Sequence, residues 1–90
     1  MTHSANSMYV EILTPEKKFY QGEAHSVVFP GSADKGSFEV LPNHAPLISS
    51  LMEGVIRLRT SAGVTELTIT GGFVEVLNNK VSVLVESVVG

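Results

Sequence analysis

Hydrophobic residues recur at every second position along most of this chain, and polar residues fill the places between. Met8, Val10 and Ile12 share one face of a segment whose other face carries Glu11. A period of two marks a half-buried strand, because successive side chains leave a strand on opposite sides. The same reading predicts strands over Lys17–Gln21 and over Glu23–Pro30, with Gly22 turning the chain between them. Val27, Val28 and Phe29 are apolar on both faces, which suggests a place deep in a sheet. Further strands follow at Phe38–Leu41, at Leu47–Leu51, and after Glu53-Gly54, where Ile56 and Leu58 point inward between Arg57 and Arg59. Ser61-Ala62-Gly63 reads as a hairpin connection into Val64–Thr70. Gly71-Gly72 reads as a bulge or a barrel corner. Phe73–Leu77 and Lys80–Glu86 flank Asn78-Asn79, a two-residue loop of residue types that accept positive φ. No segment has apolar residues at helical spacing. About eight to ten short strands with frequent turns predict an all-β fold, a flattened two-sheet sandwich or barrel.

One stretch departs from simple alternation. Phe38-Glu39-Val40-Leu41-Pro42-Asn43-His44-Ala45-Pro46-Leu47 begins as a strand, breaks at Pro42 and resumes after Pro46. Each proline fixes φ near −65°, lacks a donor, and pushes its predecessor toward an extended conformation. The expected result is a stiff corner that presents Asn43 and His44 at its tip.

Composition narrows the possible functions. Ninety residues with six basic and nine acidic side chains give a net charge of −3, which disfavours binding to nucleic acid. There is no cysteine, so disulfide and thiolate chemistry are excluded. No apolar run approaches the roughly 18 residues that a membrane-spanning helix requires. Met1–Ser7 is short and polar and lacks the apolar core of a secretory signal, so it is expected to be a disordered tail before a single domain over 8–90.

Candidate chemistry is sparse. Asp34, Glu39 and His44 could be imagined as a metal or acid–base set, but a metal needs at least three converging ligands. His3 and His25 lie in the tail and in an early strand. A catalytic His44 would need a nucleophile and an orienting group, and no motif links Ser49 or Ser50 to it. A loop histidine that bonds across the corner or to a partner protein is the better reading. The glycines at Gly31–Gly36 and Gly71-Gly72 do not match a phosphate-binding loop, since Lys35 precedes its glycine and no helix follows. Arg57 and Arg59 share one strand face, and an arginine of this pair is expected to bond Glu66 across the hairpin.

Three blocks carry a family resemblance. They are Gly36-x-Phe38-x-Val40-Leu41-Pro42-Asn43-His44-Ala45-Pro46-Leu47, then Glu53-Gly54-Val55-Ile56-Arg57, then Gly71-Gly72-Phe73-Val74-Glu75-Val76 with Val81-x-Val83-Leu84-x-Glu86. In this order they resemble the N-terminal β-sandwich domain of the epsilon subunit of F-type ATP synthases. The resemblance implies a non-catalytic subunit of the central stalk that binds no cofactor. Such a subunit couples rotation of the gamma subunit and the membrane c-ring to ATP synthesis, on the cytoplasmic face of a bacterial inner membrane. It maps contact with gamma onto Thr14 and the corner residues Pro42, Asn43 and His44. It maps contact with the c-ring onto Asp34, Lys35, Gly36, Ser37 and Phe38. Many members continue into a C-terminal helical hairpin that inhibits hydrolysis. This sequence stops at Gly90, so the resemblance implies a subunit without that brake. The competing expectation is a free-standing β-sandwich that binds a small ligand or glycan. It needs a concave aromatic site, whereas the six aromatic residues mostly occupy strand positions expected to face inward.

Overall fold

The structure is a computed structural model that describes residues 6–31 and 36–89. Among the described residues ten strands run in chain order: β1 (Met8–Leu13), β2 (Lys18–Ala24), β3 (Ser26–Phe29), β4 (Phe38–Val40), β5 (Leu47–Leu51), β6 (Gly54–Thr60), β7 (Gly63–Ile69), β8 (Gly72–Leu77), β9 (Lys80–Val85) and β10 (Val88–Val89). Among the described residues there is no helix. The strands form two five-stranded sheets, in the orders β2-β1-β9-β8-β5 and β10-β7-β6-β3-β4.

Alternation builds the core. Met8, Val10, Ile12, Val74, Val76, Val81, Val83 and Val85 project from the first sheet, and Val27, Phe29, Val40, Ile56, Leu58 and Ile69 from the second. All are at most 2% exposed and belong to one cluster. The β8–β9 hairpin forms as expected, with Leu77 opposite Lys80 and both Asn78 and Asn79 at positive φ (52° and 63°). That conformation matches the turn twist that two-residue hairpins favour.

Several expectations are revised. Gly22 does not turn the chain. It lies inside β2 opposite Val10, with a φ of 157° that residues carrying a side chain rarely adopt. The chain changes sheets at His25 instead, so Glu23 and Ala24 belong to β2 and the third strand shrinks to four residues. Gly71-Gly72 is one of the two alternatives expected, a corner, where the chain crosses from the second sheet to the first. A side chain on Gly72 would lie 2.5 Å from the Leu84 carbonyl and 2.9 Å from Val85 Cα, a close backbone approach that only glycine allows. A tenth strand, Val88–Val89, extends the second sheet beside β7. The tail expected over Met1–Ser7 falls mostly outside the described residues. At its end Ser7 is buried, and its hydroxyl donates to the Glu23 carboxylate.

Tyr20 packs against the core from β2, and its hydroxyl donates to the Glu23 carbonyl at 2.8 Å. Burial, and then the negative charge of Glu23, hold its phenol above its ordinary value of 10.0. A raised native value means that the folded state holds the proton more tightly than the unfolded chain. The associated stability is therefore complete below about pH 10 and is lost as pH rises through the native value. Denaturant titrations from pH 8 to 11.5 are expected to show this alkaline loss, and Tyr20→Phe is expected to flatten it.

Candidate functional site: a partner-facing surface

The corner has a definite local geometry. Pro42 and Asn43 occupy the centre of a turn closed by the His44 N–H, which donates to the Leu41 carbonyl at 3.1 Å. Asn43 has φ 65°. Proline followed by a residue of positive φ is the pattern of a type II turn, and asparagine tolerates that conformation better than most residues. His44 Nδ1–H donates to the Ala45 carbonyl at 2.7 Å, so the imidazole is engaged within the corner. Asn43 is exposed, and Pro42 and His44 are half-buried. The Asn43 N–H donates at 2.8 Å to the side-chain oxygen of Asn79 in the β8–β9 turn.

Thr14 sits elsewhere. β1 runs parallel to β9, with Tyr9 opposite Lys80 and Leu13 opposite Leu84. The corner, bonded to Asn79, therefore lies at the start of β1, and Thr14 lies past its end, about 20 Å away for six residues of strand. Thr14 is itself buried. Its Oγ1 accepts from the N–H groups of Lys17 (3.1 Å) and Glu16 (3.3 Å), and its own N–H donates to the Lys17 carbonyl at 2.8 Å. The residue thus shapes a tight turn, and Pro15, Glu16 and Lys17 are what solvent meets there.

Gly36 and Ser37 are exposed at that same end of the strands, just before β4. Phe38 is half-buried, and its ring packs on Phe29 at a centroid distance of 5.4 Å. The loop thus leaves from an anchor in the core. Asp34 and Lys35 fall outside the described residues. The structure brings Gly36–Phe38 and the Thr14 turn to one end, and places Pro42–His44 at the other.

Sequence reading missed an apolar strip that crosses the strands from beside the Thr14 turn to β5, the strand that follows the corner. The outer face of the first sheet carries Leu13, Leu84 and Phe73 in register across β1, β9 and β8, with Ile48 on neighbouring β5. Ile48 is 65%, Leu84 56% and Phe73 48% exposed, and the four line a shallow groove with Glu11, Glu75 and Ser82. Phe73 therefore faces outward, against expectation, because Val74 and Val76 take the inward positions of β8. The signal was present in Phe73-Val74 and Val83-Leu84-Val85, where apolar residues occupy both faces. The outer face of the second sheet is different. There Arg57 lies opposite Glu66, and the two pair at 2.8 and 2.9 Å as expected. Both are well exposed, so the pair contributes little to stability. Among the described residues no three acidic or histidine side chains gather as a metal site would require, and no helix is long and apolar enough to cross a membrane.

The sequence pattern of the family described as "ATP synthase, Delta/Epsilon chain, beta-sandwich domain" matches residues 7–90. The chain belongs to this family. It is 42% identical over 83 residues to an ATP synthase epsilon chain of Leptospira interrogans serovar copenhageni, covering 92% of this chain. It is also 42% identical over 89 residues to one of Chlorobaculum tepidum. It spans 64% of the length of the Leptospira relative and 99% of the Chlorobaculum one. The delta/epsilon sandwich is similar in fold to a chain in the Tetrahymena thermophila mitochondrial ATP synthase central stalk and c-ring (TM-score 0.77, 20% identity, 91% of this chain and 65% of that one). It is similar also to a chain in the Euglena gracilis mitochondrial ATP synthase (TM-score 0.83, 16% identity, 98% of this chain and 56% of that one). The two-sheet architecture expected for a delta/epsilon domain is thus the one observed.

Proposed function

We propose that this chain is a non-catalytic rotor subunit of a proton-translocating F-type ATP synthase. In this reading it binds the gamma subunit and rests on the c-ring, and it couples their rotation to ATP synthesis from the cytoplasmic face of a bacterial inner membrane. The domain is residues 8–90, preceded by the short polar tail.

One observation carries the assignment of the gamma surface. The apolar strip Leu13–Leu84–Phe73–Ile48 starts beside the Thr14 turn and ends on β5, the strand that leaves the corner. A partner lying along this face would meet the Thr14 turn and the Pro42–His44 corner together, although neither is near the other. An apolar centre with polar margins is the ordinary anatomy of a protein interface. The Gly36–Phe38 segment would then face the c-ring from the opposite end to the corner, and Asp34 and Lys35 are proposed to share that contact. Anchorage of Phe38 on Phe29 suits a contact that must transmit force without bending.

The test is co-purification with gamma. Folded protein is expected to form a one-to-one complex with the gamma subunit of its own complex and to hydrolyse no ATP alone. Recovery of free gamma from a mixture with folded protein would remove this reading.

A further inference from the structure

Asn79 lies in a hairpin turn, yet its side chain works on other parts of the chain. Its Oδ1 accepts the Asn43 N–H at 2.8 Å, across 36 residues. Its Nδ2 donates to the Ser7 carbonyl at 3.0 Å, across 72 residues. Its backbone carbonyl accepts the Tyr9 N–H at 3.1 Å. The orientation of the amide is set by chemistry, since a flipped group would face N–H against N–H and oxygen against oxygen. One residue thus joins the β8–β9 turn, the start of β1 and the two-proline corner. Asn78 shares its positive φ, but no bond of its side chain to another segment is present among the described residues. Positive φ therefore does not account for what the Asn79 side chain does.

The prolines and the Leu41–His44 bond fix the curvature of the corner, but they act only within it. Its direction relative to the sheet needs a bond to something outside, and the Asn43–Asn79 bond supplies one. The geometry points to Asn79 as the positioning residue for the partner-facing corner, aiming Asn43 and His44 without touching the partner itself. This rests on the proposed gamma contact of the corner, and it names the residue that tunes that contact.

Three variants separate the roles. Asn79→Gly keeps a backbone that accepts positive φ and removes the side chain. Asn79→Asp keeps an acceptor for Asn43 and loses the donor to Ser7. Asn78→Gly alters the same turn without touching the bridge. Amide exchange at Asn43, read by NMR on the isolated domain, and affinity for the gamma subunit are measured well below the unfolding temperature. Asn79→Gly is expected to speed Asn43 exchange and weaken gamma binding, each by about tenfold, the upper range for one hydrogen bond. Asn78→Gly is expected to stay within about twofold of the parent in both, and Asn79→Asp, which keeps the acceptor for Asn43 but turns an oxygen toward the Ser7 carbonyl, is expected to fall between the parent and Asn79→Gly. Unchanged Asn43 exchange in Asn79→Gly overturns the latch, whatever gamma does. Faster exchange with undiminished affinity overturns the positioning role, because the corner then lies outside the interface. Absence of gamma binding by the parent chain removes the underlying reading instead, with the exchange result still separating the two.

Discussion

Leu84→Glu is expected to lower affinity for the gamma subunit by about thirtyfold or more while leaving the domain folded. Leu84 sits at the centre of the apolar strip, opposite Leu13 on one side and Phe73 on the other. Truncating or charging the centre of an interface typically costs at least about 2 kcal/mol, whereas changes at its rim cost little. A new carboxylate beside Glu11 and Glu75 would also have to shed its water when the partner docks. The folded domain should tolerate it. Leu84 is 56% exposed, and a lost cross-strand apolar pair is worth about 0.2–1 kcal/mol. Val64→Glu is the matched control, since Val64 is 60% exposed on the second sheet and is expected to leave gamma binding unchanged. Calorimetric titration with gamma measures both, and urea unfolding checks the fold. Equal affinities for parent and Leu84→Glu would place the partner away from this face.

The second large effect is on stability. Phe29 is the bulkiest fully buried side chain, projecting from β3 into the space between the sheets. Removing such a ring typically costs about 3–5 kcal/mol, as lost transfer energy plus an unfilled cavity. A domain of this size has roughly 5–13 kcal/mol in total. Phe29→Ala is therefore expected to lower Tm by roughly 15–30 °C. The neighbouring Phe38→Ala should cost less, because that ring is only half-buried. The pair also separates stability from function. Loss of Phe38 is expected to loosen Gly36 and Ser37 while the core stays packed. Differential scanning calorimetry on both variants gives the order, and a smaller loss for Phe29→Ala than for Phe38→Ala would mean that the core is not centred where the structure puts it.

How much of this was readable beforehand follows from the range of each interaction. The inward rows Met8/Val10/Ile12 and Val81/Val83/Val85 were readable, because alternation is a property of neighbours two residues apart. The β8–β9 hairpin and the corner were readable as well, since asparagine pairs and flanking prolines act on their own backbones. The end of β2 was not, because Gly22 is compatible with both a turn and an extended strand, and pairing with Val10 chose the strand. Leu84 and Phe73 could be recognised as apolar residues on the polar side of the alternation. Their meeting in one strip could not.

By itself, the order of residues determined that this chain is built of short strands with one rigid corner, and its motifs pointed to the delta/epsilon sandwich family. Tertiary structure alone decided that β1 lies parallel to β9, that Thr14 and His44 stand at opposite ends, and that Asn79 reaches Ser7 and Asn43. The reason is physical. Strand formation depends on contacts a few residues apart, whereas strand partners are chosen by which distant faces bury most surface when the whole sandwich closes.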